Sequence, residues 1–194
     1  MKRNAGNGVL ILECIDYKSD PGSEGRFLSH MFKLMEVPSQ YVEVRTRKQL
    51  LSLMGCSPYN YIHITTHGVV SKKFVGWWTP DSEVDKANLK SLEGKLTGKT
   101  LVSTACGSGE KAFCKYIVHK LGCKFCLAPK RKPKFHNSIM FAHIFYHKLF
   151  VLNQGVRESY KAYDRKYKNP HQFTIYPRKN RLGEAQHALC SSGR

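Results

Sequence analysis

Residues 59–68 read YNYIHITTHG, and residues 100–109 read TLVSTACGSG. Each is a short run of apolar and β-branched residues that stops at a glycine-containing break. That pattern predicts two buried strands, over 59–65 and 100–105, each ending in a turn. The same pattern recurs on either side. GVLILECI at 8–15 reads as a strand, as do 41–44, 124–128 (stopped by Pro129) and 173–176 (stopped by Pro177). Helical spacing fills the gaps. Residues 25–35 carry apolar side chains at 27, 28, 31, 32, 34 and 35, one face of a helix. Further helices are predicted through Leu50, Leu51 and Leu53, near Asp85 to Leu92, over 110–121 before Gly122, over 138–153, and over 156–168. The segment from Val70 to Pro80, with Trp77 and Trp78, reads as irregular. Alternating strands and helices predict an α/β fold: a mostly parallel sheet of about six strands with helices on both faces. In such sheets the working residues gather at the carboxyl ends of the strands.

The chain has 194 residues, 41% of them hydrophobic, and a net charge of +18. That length and apolar share suit one globular domain and exclude a disordered chain. The expected organisation is one domain over 1–178 and a flexible tail over 179–194. No apolar run approaches the ~18 residues of a membrane span. The richest stretch, Ile139 to Leu152, is interrupted by His143, His147 and Lys148. The apolar run Val9-Leu10-Ile11-Leu12 is too short for a secretory signal. A cytoplasmic protein without a membrane partner is therefore expected. Its cysteines, at 14, 56, 106, 114, 123, 126 and 190, read as free thiols in a reducing compartment.

Charge is unevenly spread. Residues 1–110 hold 14 basic and 11 acidic side chains, whereas 111–194 hold 18 and 3. No acid lies between Lys111 and Arg157. A nucleic-acid surface, an acidic protein partner and a solvated charged face all fit this asymmetry.

The strand ends carry the chemistry. The first quoted strand runs into Thr66-His67-Gly68, and the second into Ala105-Cys106-Gly107-Ser108-Gly109. If these two strands are neighbours, they lie ~4.8 Å apart, and His67 and Cys106 would then face each other across a cleft as a Cys–His pair. A cysteine just before a helix is expected to feel the helix dipole, which lowers its pKa. The backbone N–H groups of Gly68 and Cys106 would form an oxyanion hole. A buried cysteine ending a strand is also a common small core residue. Other motifs fail. The sixth residue after Cys106 is Ala112, not the Arg of a phosphatase loop, and Gly107-Ser108-Gly109 is not a serine-hydrolase elbow. Cys123 and Cys126 have zinc-like spacing, but residues three apart on a strand point to opposite faces. His143 and His147 sit one helical turn apart with no third ligand in view. No metal and no organic cofactor are expected.

Tyr61-Ile62-His63-Ile64-Thr65-Thr66-His67-Gly68, followed by Thr100-Leu101-Val102-Ser103-Thr104-Ala105-Cys106, resembles the caspase-like cysteine peptidases. Within them it is most similar to the CHAT family, whose pattern is apolar-His-x-x-x-His-Gly and then Leu-Val-x-Ser-Ala-Cys. Leu121-Gly122, Phe125 to Pro129, Phe145-Tyr146-His147-Lys148-Leu149, Gly155, and Arg157 to Tyr163 extend the likeness over about Val9 to Tyr176. The resemblance implies a caspase-like three-layer sandwich and a thiol protease, a cysteine endopeptidase with Cys106 and His67 as its dyad. It implies a protein substrate and a prokaryotic antiviral-defence or cell-death pathway. Thr104 stands where caspases carry Gln and metacaspases usually carry Asp, so neither family's specificity rule transfers. Thr104 itself, with Asp16, Lys130, Arg131 and Lys132 on loops where relatives of this kind build substrate contacts, makes up the candidate substrate-binding set. The sensor repeats common in CHAT proteins are missing from this sequence, so the resemblance implies regulation by a separate activator or sensor protein, regulation by a zymogen-like loop, or none. The alternative reading is a catalytically silent caspase-like module whose basic half docks nucleic acid or an acidic protein.

Overall fold

A computed structural model of the chain describes residues 7–15, 23–70, 75–168 and 173–177. The elements in order are β1 (Val9–Glu13), α1 (Glu24–Leu34), β2 (Ser39–Glu43), α2 (Arg47–Cys56) and β3 (Tyr61–Thr65). Three short strands follow, β4 (Gly68–Val70), β5 (Val75–Thr79) and β6 (Ser82–Val84), then a 3-10 turn over Asn88–Leu92. The rest is β7 (Thr100–Ser103), α3 (Lys111–His119), β8 (Phe125–Pro129), α4 (Phe135–Tyr146), a π-helical turn (His147–Val151), α5 (Val156–Tyr167) and β9 (Phe173–Pro177).

Six strands form the main sheet in the order β2-β1-β3-β7-β8-β9. The first five run parallel, and β9 returns antiparallel to β8. Strands β3 and β7, whose adjacency was the condition for a Cys–His pair, are neighbours, with Tyr61 opposite Thr100 and Ile64 opposite Ser103. Both faces are covered, which is why β1, β7 and β8 are buried along their whole length. Strand alternation divides the core in two. Leu10, Leu12, Ile62, Ile64 and Leu101 pack with Leu50 and Met54 of α2 and with Phe113 and Ile117 of α3. Val9, Ile11, Val102 and Leu127 pack with Leu28 and Phe32 of α1, Phe141 and Phe145 of α4, and Tyr163 of α5. The result is a sheet between two helical layers, the α/β architecture expected.

Local signals start the helices. Ser23 Oγ accepts the Arg26 N–H at 3.0 Å to cap α1, and Thr46 Oγ1 accepts the Gln49 N–H at 3.1 Å to cap α2.

Three segments depart from expectation. Within the segment read as irregular, Val75–Thr79 is β5, the middle strand of the β4-β5-β6 antiparallel sheet. Thr79 pairs with Ser82 across the two-residue turn Pro80-Asp81, and Asp81 Oδ1 accepts the Thr79 and Ser82 hydroxyls at 2.7 and 3.0 Å. The short helix near 85–92 is a 3-10 turn. The long helix begins at Phe135 and passes into the π-helical turn at His147. Asp16 and the 179–194 tail lie outside the described residues. Among the described residues, no helix is long and apolar enough to cross a membrane.

Candidate active site

The β3–β7 ladder continues one step past β7, where the Thr104 N–H donates to Ile64 O at 3.1 Å. Beyond that point the chains turn and meet. A Cβ built on Gly68 would fall 1.8 Å from the Cys106 carbonyl oxygen and 2.7 Å from its nitrogen. The peptide at Gly68 therefore lies directly on the Cys106 peptide, an approach only glycine permits. The structure thus brings Gly68 and Cys106 together, with His67 one residue before the contact. His67 is exposed and Cys106 half-buried. The His67 carbonyl accepts the Trp78 N–H at 3.0 Å, so the small sheet holds the backbone that carries the imidazole.

That small sheet also braces the cysteine. Trp77 is fully buried and donates its indole N–H to Ser103 Oγ at 3.1 Å. Ser103 Oγ also lies 3.0 Å from Ser108 Oγ and accepts the Ala105 N–H at 3.3 Å. Ser108 Oγ donates to Ala105 O at 2.7 Å. The turn around Cys106 is thereby tied on the α2/α3 side of the sheet.

Burial pushes the Cys106 thiol above its ordinary value, while the Lys132 charge and the backbone N–H groups of Cys106 and Gly68 pull in the opposite direction. Those two amides are the ones expected to form the oxyanion hole. The expected help from a helix dipole is corrected. Helix α3 begins only at Lys111, and its N-terminus is capped by Glu110, whose carboxylate accepts the Phe113 N–H at 2.9 Å. A dipole acts within about a turn of the helix end, and here an anion already sits there. The opposition to desolvation comes instead from Lys132 and the two N–H groups.

The glycines after Cys106 join its turn to the loop after β8. Gly107 has φ 69° and donates its N–H to Arg131 O at 3.2 Å. Gly109 donates to Pro129 O at 2.8 Å, and a Cβ there would lie 2.5 Å from Ala128 O. This seam sets Lys130, Arg131 and Lys132 beside the candidate site, all three exposed. Because the thiol sits above its ordinary 9.0, alkylation of Cys106 by iodoacetamide should keep rising as pH climbs through that value. Lys132→Ala removes a downward pull on the thiol, so it should slow alkylation by about two- to fivefold near pH 8. Peptide-resolved mass spectrometry reads this, with exposed Cys56 as the internal control. A faster reaction in Lys132→Ala would contradict the assignment.

A second polar group lies on the α1 side and was not read from the sequence. Glu24, in the first turn of α1, is 2% exposed. Its Oε2 accepts the Thr65 hydroxyl at 3.0 Å and the Thr104 hydroxyl at 2.9 Å. Its Oε1 lies 3.1 Å from His63 Nε2, and His63 Nδ1 lies 3.0 Å from the Tyr146 hydroxyl. Burial, then the Glu24 charge, holds the Tyr146 phenol well above its ordinary value, so it donates to Nδ1. The His63 Nε2–H then points at the carboxylate, a tautomer set by its partners. Thr104, expected to touch substrate, is buried and gives its hydroxyl to Glu24. The sequence signals were the Ser23 cap, with Glu24 next to it, and a histidine inside an apolar strand. Replacing His63 by Leu should destabilise the protein by about 3 kcal/mol, because a buried carboxylate loses its donor. Urea unfolding measures this, and a loss under about 1 kcal/mol would contradict a structural His63–Glu24 pair.

The remaining cysteine and histidine candidates do not assemble into a metal site among the described residues. Cys123 is pushed up to about 12 by burial, and Cys126 rises through its hydrogen bond with Cys114 and its burial. The His143 and His147 rings are 6.3 Å apart. Among the described residues, no group of three or more His, Cys, Asp or Glu is placed to hold a metal ion. The six described cysteines are free thiols. No family model matches this chain, and no curated protein matches it.

Proposed function

We propose that the chain is a cysteine endopeptidase that cuts a protein substrate through Cys106 and His67. The observation that carries this reading is the contact of the Gly68 and Cys106 peptides, with both N–H groups acting on the thiol. Donors that favour negative charge on sulfur stand where an acyl oxyanion would next develop. In the proposed sequence His67 takes the Cys106 proton as sulfur attacks the scissile carbonyl. The S–C bond forms and the carbonyl π pair moves to oxygen, where the Gly68 and Cys106 amides receive it. As the oxyanion collapses, the C–N bond breaks and the His67 imidazolium protonates the leaving amine. Water then attacks the thioester, giving its proton to His67. The C–S bond breaks and the thiol is restored. This chemistry needs no metal or organic cofactor. The test is proteolysis by wild type set against Cys106→Ala and His67→Ala.

The substrate class we favour is an acidic protein, steered by the exposed Lys130, Arg131 and Lys132 beside the thiol. A cytoplasmic defence or cell-death role, with a separate activator, belongs to the same proposal and rests on the family resemblance. Replacing Lys130, Arg131, Lys132 and Lys134 with Ser should lower kcat/KM on such a protein by about tenfold at low salt. A short neutral peptide with the same scissile sequence should be cut at nearly the wild-type rate. Equal losses on both substrates would contradict steering.

A second reading, a silent binding module, is favoured by one observation. A cavity of about 530 Å³ between α4 and α5 is lined by His143, His147, Lys148, Arg165 and Lys166. Its cations suit a nucleic-acid phosphate or an acidic protein. Tight, salt-sensitive nucleic-acid binding that Cys106→Ala leaves unchanged, with no proteolysis, would favour this reading over the first.

A further inference from the structure

Past the last ladder bond at Thr104, the two segments that carry the dyad leave the sheet and meet where the Gly68 peptide lies on the Cys106 peptide, so contacts besides β-pairing set their spacing. On the α2/α3 side, Trp77 and Ser103 brace the cysteine turn. On the α1 side one carboxylate oxygen does the joining. Glu24 Oε2 accepts from Thr65 at 3.0 Å and from Thr104 at 2.9 Å. Thr65 lies two residues before His67, and Thr104 two before Cys106. Their single common acceptor therefore links the β3 exit to the β7 exit two residues before the residues proposed to react.

The acceptor is itself fixed. Glu24 Oε1 faces His63 Nε2 at 3.1 Å, and Tyr146 anchors His63 from the other side at 3.0 Å. His63 and Tyr146 are fully buried, Glu24 2% exposed and Thr65 2% exposed. A carboxylate held at this depth by three donors has little freedom to shift, and hydrogen bonds to a charged acceptor are the stronger kind. The geometry is that of a clamp whose two jaws are the strand ends.

We propose that Glu24 is a positioning residue that sets the spacing of the His67–Gly68 and Cys106 segments by binding Thr65 and Thr104 together. It does not touch substrate. It acts by keeping the Gly68 peptide against the Cys106 peptide, the close approach that carries the proposed oxyanion hole. The proposal deepens the endopeptidase reading and rests on it for its meaning in catalysis, but the clamp itself is tested without any protein substrate.

The test compares Cys106 alkylation by iodoacetamide in the full chain and three variants, with Cys56 as internal control and thermal unfolding to verify the fold. Glu24→Met removes both acceptor oxygens at similar length. It should slow Cys106 alkylation by about 10- to 100-fold, the scale of a misplacement near 1 Å, while Cys56 is unaffected. Glu24→Gln keeps one oxygen for the two threonines and turns its amide toward His63, which can take the other tautomer. It should return the rate to within about threefold of wild type. Thr104→Val deletes one jaw and leaves Glu24 with Thr65 and His63. It should give an intermediate slowing, and it decides the matter if Glu24→Met does not fold. An unchanged or faster Cys106 reaction in folded Glu24→Met, or in Thr104→Val, overturns the proposal. If the expected slowing appears but wild type cleaves no protein, the clamp stands and the endopeptidase reading fails. If wild type cleaves and the variants match it in both assays, the reverse holds.

Discussion

Gly68→Ala should be among the most damaging single methyl additions in this chain. The added Cβ would lie 1.8 Å from the Cys106 carbonyl oxygen, 2.6 Å from its carbon and 2.7 Å from its nitrogen. All three are backbone atoms, so no side chain can swing aside. Either the β3 exit or the Cys106 turn has to move by more than an ångström. The Cys106 turn is braced by Ser103 and Ser108, and Gly107 and Gly109 are bound to the loop after β8. The β3 exit is held by the pairing of Gly68 with Trp77. The expected cost exceeds about 3 kcal/mol of folding stability, the upper range for overpacking against rigid neighbours. A Gly68→Ala protein that does fold should alkylate Cys106 slowly, because the two peptides are forced apart and the Gly68 N–H loses its downward pull on the thiol. Denaturant unfolding measures the first effect, and a loss below about 1 kcal/mol would contradict the close contact.

The second large effect concerns the pair. Cys106→Ala and His67→Ala should each lower kcat/KM by at least about 1000-fold, and the double variant should be little worse than either alone. Residues that act as one unit lose nearly all their effect with the first removal. Both variants should fold. His67 is exposed, and Cys106 is half-buried and contributes no side-chain bond to the brace around it. Additive losses in the double variant would mean that the two residues act separately.

The sequence carried the frame of this site but not its supports. The strands at 59–65 and 100–105 were legible because each is a β-branched run cut off by a break. Their adjacency was not legible, since a parallel α/β sheet does not fix strand order, and it comes from the structure. His67, Gly68 and Cys106 fall just past the strand ends, where that architecture gathers working residues. The β4-β5-β6 sheet was missed because two of its strands have only three residues each, too few for alternation to register. The Pro80-Asp81 turn between Trp77-Trp78-Thr79 and Ser82-Glu83-Val84 was the available clue. The lowered thiol pKa was expected from a helix taken to start at residue 110, just past the glycines. Four residues and the Glu110 carboxylate lie between Cys106 and α3, and desolvation outweighs what opposes it. Glu24 lies outside what periodicity can reveal. It begins a helix as acids often do, and only the tertiary packing of α1 on the sheet turns that carboxylate toward Thr65 and Thr104.

The most direct test of the proposed peptidase is to incubate purified wild type, Cys106→Ala and His67→Ala with a peptide library prepared from a digested proteome, and to identify new N-termini by mass spectrometry. The expected result is a set of cuts made by wild type alone, sharing a preference on one side of the broken bond and missing from both variants. Cuts that persist in Cys106→Ala, or a wild-type library indistinguishable from that of the variant, would contradict the Cys106–His67 peptidase.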